Sequence, residues 1–235
     1  MTRAVTCTMI LLLAMLGVSS ASISSALASV KKAELVKAGS TVELSKKKFT
    51  ATGGELRLET TSGASVKCKK QSATGAVLNT HEAEESLTLN ECKNSLGQKC
   101  KSAGAGAEEI KPPNKFKRLW GYLVGAAKAI IIIHTILGNG SEAVKFECST
   151  VVNEVKGAFV VAIGASQEQV SKTSFVFAAA ESKGVQGIKE FETVGGTVEK
   201  GITLEAKLLT SGASFEQAGQ EASETVTFEE AAEFV

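Results

Sequence analysis

The chain contains no aspartate, so all of its 25 acidic residues are glutamates. An EF-hand loop, an aspartic dyad and a Ser-His-Asp triad all use the shorter carboxylate in their usual forms, and only glutamate variants of these chemistries remain open. Histidine is almost as scarce. His81 and His134 sit in Asn79-Thr80-His81-Glu82 and Ile133-His134-Thr135, with no second His or Cys at ligand spacing, so both read as structural residues. No metal and no cofactor is expected. Arginine is limited to Arg3, Arg57 and Arg118, which leaves little of the bidentate guanidinium chemistry that reads phosphates and bases. One tryptophan and one tyrosine offer little for stacking on sugars. Two prolines against 22 glycines suit a chain of many turns and bulges.

The N-terminus carries what an exported protein needs. Arg3 provides a positive start, Met9 to Val18 an apolar run, and Ala26-Leu27-Ala28 the small residues of a cleavage site, so residues 1–28 read as a cleavable signal with cleavage after Ala28. Ten strongly apolar residues fall short of the roughly 20 that a spanning helix needs. Cys7 precedes the apolar run, so it is not a lipidation site. Loss of Arg3 leaves 25 cationic side chains against 25 glutamates. With no net field, nucleic acid is not an expected partner.

Removing Cys7 leaves Cys68, Cys92, Cys100 and Cys148, which in an exported chain read as two disulfides. Three pairings are formally open. The similar strand-like segments Val66-Lys67-Cys68 and Lys145-Phe146-Glu147-Cys148 favour Cys68 with Cys148. Cys92 and Cys100 then close a short loop rich in turn formers.

Alternation of apolar and polar residues recurs at 41–44, 55–59, 65–69, 87–90, 143–147, 156–163, 173–177 and 203–208. This rhythm predicts an all-β fold, an antiparallel β-sandwich or barrel-like sheet with little helix, preceded by a signal-peptide helix. One β-rich domain is expected over 29–235. The only helix candidates are a turn near Phe215 to Gly219 and the end of the chain, where Thr227 and Glu230 have capping-box spacing. Residues 101–117, with Pro112 and Pro113, read as the longest loop, a connector. The apolar stretch Leu119 to Leu137 is long enough to span a bilayer, but Lys128 at its middle costs roughly 2.5 to 3.5 kcal/mol on insertion scales. The β-branched run Ile130 to Ile133 and the upstream Gly121 and Gly125 favour two buried strands. Asn139-Gly140-Ser141 fits the N-glycosylation pattern and equally a Gly-containing turn.

Four stretches carry a resemblance: the alanine-rich signal end, the loop from Leu89-Asn90-Glu91-Cys92 to Cys100, the strand Val144-Lys145-Phe146-Glu147-Cys148, and the tail Ser214-Phe215-Glu216-Gln217-Ala218-Gly219 with Glu229-Glu230. Through them the chain resembles a group of uncharacterised secreted proteins from high-GC actinobacteria, built on Gly-rich strands and paired cysteines. The resemblance implies export and β structure. It carries no activity and no catalytic residue.

Three functional readings follow. The first is a secreted or envelope-associated, non-catalytic β module that presents a surface to another envelope protein or a glycan, with Trp120 and Tyr122 as candidate contacts. The second is a β-barrel holding a small apolar ligand among residues such as Ile130, Ile132, Phe159 and Phe175. The third is a hydrolase acting on glycans through two glutamates, for which Glu82, Glu84 and Glu85 beside His81 form the densest cluster.

Overall fold

The structure is a computed structural model that describes residues 34–124, 131–136, 144–162, 172–180, 184–193, 196–209 and 214–234, all within one compact unit, Lys31–Val235. The signal segment, Lys128 and Asn139-Gly140-Ser141 lie outside the described residues. In chain order the strands are β1 Leu35–Lys37, β2 Lys48–Thr60, β3 Ser65–Cys68, β4 Lys70–Asn79, β5 Glu82–Asn90, β6 Lys93–Asn94, β7 Cys100–Lys101 and β8 Phe116–Leu123. They continue with β9 Ile131–Ile136, β10 Val144–Cys148, β11 Val151–Ala162, β12 Lys172–Ala180, β13 Glu190–Thr193, β14 Val198–Lys200, β15 Leu204–Lys207 and β16 Glu216–Phe234. The fold is all-β, and the described residues contain no helix.

Among the described residues every pairing is antiparallel, and the strands share one large sheet. From β2 the neighbours run β4, β5, β8, β9, β11, β12 and β16, and the other edge of β16 pairs with β2 again. The sheet therefore curls around an interior, within the expected class of antiparallel sandwich or barrel-like sheet. At one end the wall continues through other pairings. The second half of β2 pairs with β3, β3 with β6, β7 with β10, and the first half of β11 with β10 and β15.

Period-two alternation decides which side chains point inward. Phe49 and Ala51 of β2, Ala73 and Val77 of β4, Ala83 of β5, Trp120 of β8, and Val226 and Phe228 of β16 form one buried cluster with Leu35 and Phe234. Large and small residues face each other there. The ring of Phe49 lies over Gly75, where a Cβ would come within 2.2 Å of it. A second cluster, at the other end, gathers Leu56, Leu58, Val66, Leu89, Phe116, Phe146 and Leu204 with all four cysteines. The outward face of β16, β2, β4 and β5 is polar, whereas outside β11 a third buried cluster gathers Ala158, Val160, Phe191 and Ile202. Thr227, Thr50, Thr74 and Ser86 are direct cross-strand neighbours on β16, β2, β4 and β5, and all are exposed.

Between the two clusters β2 changes phase. Its inward residues are Phe49, Ala51 and Gly53 before the break and Leu56, Leu58 and Thr60 after it, because the pairing with β16 shifts between Ala222 and Glu224. The β-bulge releases the carbonyl of Ser223, which accepts a 2.9 Å hydrogen bond from Gln71 Nε2. Gly53 is what permits this, since a Cβ there would lie 2.4 Å from both the Ser223 oxygen and the Gln71 amide nitrogen.

Several expectations are corrected. The two disulfides are present, but they join Cys68 to Cys92 and Cys100 to Cys148. The strand register explains the pairing. Val66 opposes Asn94 and Lys67 opposes Lys93, which brings Cys92 opposite Cys68, while Cys100 and Cys148 are direct partners on β7 and β10. Cys92 and Cys100 are neighbours through the backbone, with Cys100 N–H donating to the Cys92 carbonyl at 2.9 Å. The four cysteines thus form one buried rank, Cys68 on β3, Cys92 just before β6, Cys100 on β7 and Cys148 on β10. Neither helix candidate is helical, because Glu216 to Gly219 and Thr227 to Glu230 all belong to the 19-residue β16. Within Leu119 to Leu137 the described residues fall on two paired strands, β8 and β9, and a turn at Val124. Among the described residues no helix is long and apolar enough to cross a membrane.

Candidate functional site

The layer between the two clusters is charged. Arg118 projects inward from β8, between Phe116 and Trp120, and its Nε lies 2.7 Å from Glu85 Oε1 on β5. Its Nη2 lies 2.6 Å from Glu224 Oε1 on β16. In the register Arg118 opposes Ala83, so Glu85 is its diagonal neighbour, within reach of a long side chain. Glu224 stands across the interior, since β8 and β16 are four strands apart by either path. The guanidinium therefore bridges opposite walls. The Arg118 and Glu85 side chains are 6% and 1% exposed, and that of Glu224 is 14% exposed.

Burial pushes the Glu85 carboxyl up from its ordinary range, against the pull of Arg118, and the nearby Glu224 adds to the rise. Burial also works against the Arg118 charge, but the two glutamates outweigh it and hold the guanidinium protonated. Two carboxylates and one guanidinium leave one negative charge in excess. A single proton on Glu85 neutralises the layer.

Beside this layer, toward the disulfide-bearing cluster, lies a cavity of about 100 Å³. Its walls include Leu56, Leu58, Leu87, Leu89, Phe116 and Phe146, and its polar end is formed by Gln71, Glu85, Arg118, Thr135 and Glu224. Thr135, opposite Arg118 on β9, is 1% exposed. Among the described residues neither its Oγ1 nor Glu85 Oε2 has a hydrogen-bond partner. The segment between β7 and β8 closes over the cavity, with Ile110 and Pro112 in the wall and Ile110 bridged to Leu89 by the backbone. The expected connector is thus part of the site.

Of the residues proposed for an interior ligand, Phe159 lines the cavity. Ile130 lies outside the described residues, and Ile132 and Phe175 are placed by backbone alone, in β9 and β12. The candidate contact Trp120 is corrected to a core residue. It is 4% exposed, its Nε1 donates to the Thr80 carbonyl at 2.7 Å, and its ring stands edge-on to Phe234. Tyr122 is half-buried against the same cluster. The sheet splits the glutamate group near His81. Glu82 pairs outward with Lys117 at 2.6 Å, Glu84 pairs outward with Lys115, and Glu85 alone points inward. His81 is exposed in the turn between β4 and β5, and His134 occupies a backbone position opposite Leu119.

Sequence reasoning missed Arg118, Glu224, Gln71 and Thr135. A signal existed for the first two. Arg118 is in phase with Phe116 and Trp120, and Glu224 with Ala222, Val226 and Phe228, so each charge stands where alternation calls for an apolar residue. Comparison with known proteins finds no match, whether to a family model, a curated protein or a solved structure.

Proposed function

We propose that this chain is a non-catalytic, extracytoplasmic binding module that holds one small, largely apolar molecule inside its barrel-like sheet. The apolar cavity with a few convergent polar groups carries this reading, since that is the usual make-up of a small-molecule site. Its volume sets a scale. An engineered apolar cavity of about 150 Å³ binds benzene, so about 100 Å³ suits a body of four or five carbons. The disulfides are those of an oxidising compartment, which supports export through the N-terminal segment.

Surface presentation has less support, because Trp120 is interior and the exposed large apolar residues, such as Val42, Leu78, Leu96 and Val152, are aliphatic. A glutamate-based hydrolase has less again, because Glu85 and Glu224 are both engaged by Arg118. The test is a methyl-detected NMR titration with n-butanol. Shifts confined to Leu56, Leu58, Leu87 and Leu89, and abolished by the cavity-filling Ala222→Leu, are expected. Absence of any shift at these methyls would refute an interior site.

A further inference from the structure

We infer that the polar end of this cavity receives a protonated amino group, so that the interior ligand is a small alkylamine. The inference rests on the interior-ligand reading above and gives the ligand its head group. Charge is the first argument. The layer holds two carboxylates against one guanidinium, and an alkylammonium ion supplies the missing positive charge.

Geometry is the second argument. Glu85 Oε2 and Thr135 Oγ1 are buried, line the cavity and lack hydrogen-bond partners among the described residues. A carboxylate oxygen only accepts and a hydroxyl can accept, whereas an ammonium carries three donors. Arg118 is committed to both glutamates at 2.6 to 2.7 Å, so an anionic head would meet two carboxylates without a free cation to receive it. An alcohol could satisfy the hydrogen bonds but not the charge. In the empty protein burial pushes the Glu85 carboxyl toward its protonated form, which lessens the excess charge. An incoming ammonium opposes that push, and any proton held by Glu85 leaves to solvent.

The experiment compares n-butylamine, n-butanol and butyrate on the disulfide-intact protein at pH 7.5, read at the methyl groups of the wall. These probes share a four-carbon size and differ in the head. Butylamine is expected to bind at least about tenfold more tightly than butanol, as a charge-assisted hydrogen bond in a buried site allows, and butyrate not to bind. In Glu85→Gln the amine-to-alcohol ratio is expected to fall to about threefold or less. If that variant does not fold, Thr135→Val serves instead, and the same ratio is expected to fall severalfold. Equal binding of butanol and butylamine, or tighter binding of butyrate, would overturn the amine assignment and leave the interior site standing. No binding by any of the three would remove both, leaving ordered water as the occupant of the polar end.

Discussion

Replacing Arg118 with methionine tests the charged layer directly. The substitution keeps an unbranched side chain between Phe116 and Trp120 but strips two glutamates of their shared cation, one of them 1% exposed. Breaking a buried ion pair by removing one partner costs about 3 to 5 kcal/mol. The stranded carboxylates can escape by taking protons, which bounds the penalty. Protonating an ordinary glutamate, of pKa about 4.3, costs about 3.7 kcal/mol at pH 7 and about 1 kcal/mol at pH 5. Arg118→Met is therefore expected to lose about 3 to 5 kcal/mol at pH 7, and to recover about 2.7 kcal/mol of that by pH 5 for each carboxylate newly protonated. Urea unfolding followed through the single, buried Trp120 provides the assay, with the midpoint and slope compared at the two pH values. A loss below about 1 kcal/mol, or one that is the same at pH 7 and pH 5, would refute the buried-layer account.

Glu85→Gln makes the complementary case. A carboxyl raised by burial binds its proton more tightly in the folded state, so its contribution to stability is full at acid pH and declines as pH rises from its ordinary value through its folded one; the variant should lose that decline and be as stable as the parent or more so at pH 7. Glu91 behaves oppositely. Lys70 and Lys69 hold it down to about 2, so its contribution is present above the ordinary glutamate range and disappears as pH falls toward 2, and 1 M salt should weaken it because the group is exposed. Peptide mapping without reductant should recover the Cys68–Cys92 and Cys100–Cys148 links, and losing them should cost about 3.5 and 4.1 kcal/mol by loop-closure arithmetic, measured by guanidinium unfolding. Gly53→Ala should cost about 1 to 3 kcal/mol because its methyl meets the Ser223 carbonyl. Gly54→Ala, with nothing within 4 Å, should stay within about 0.5 kcal/mol.

The fold was legible because alternation is a local signal. Runs such as Val66-Lys67-Cys68 or Val144-Lys145-Phe146-Glu147-Cys148 declare both strand and buried face without knowledge of their neighbours. The helix expectation at Thr227 and Glu230 failed because a capping-box spacing says nothing of what surrounds it. Val226, Thr227 and Phe228 are already alternating, and β2 and β12 flank them on both sides. The disulfide pairing failed for a related reason. Similarity between the Cys68 and Cys148 segments suggested adjacency, but the β6 to β7 hairpin stands between them and takes one bond from each side. Cross-strand register is a long-range property that spacing along the chain does not carry. The site was half legible. Glu85 was noticed as one of three clustered glutamates, yet what sets it apart is its phase, shared with Ala83, Leu87 and Leu89. Its meeting with Glu224, 139 positions along the chain, follows only from the wrapped sheet.

The charged layer also explains how the two ends of the interior differ. Stability alone does not call for it, since buried ionic clusters are often replaced by apolar residues at no loss. On one side of the layer the interior is filled by Phe49, Trp120, Phe228 and Phe234, with Gly75 making room for a ring. On the other side lie the cavity and both disulfides. A void of about 100 Å³ costs about 2.4 kcal/mol by the volume dependence of core truncations, and either cross-link offsets that alone. The staples thus stand where packing is weakest, so an end left partly empty keeps its shape. Reduction should therefore loosen the cavity end before the aromatic end. Hydrogen exchange of the reduced protein should show protection lost first at β3, β6, β7 and β10 and retained longest at the pairing of β2 with β4 and β16. Simultaneous loss at both ends would mean that the interior is one cooperative core, and that the layer divides its chemistry without dividing its stability.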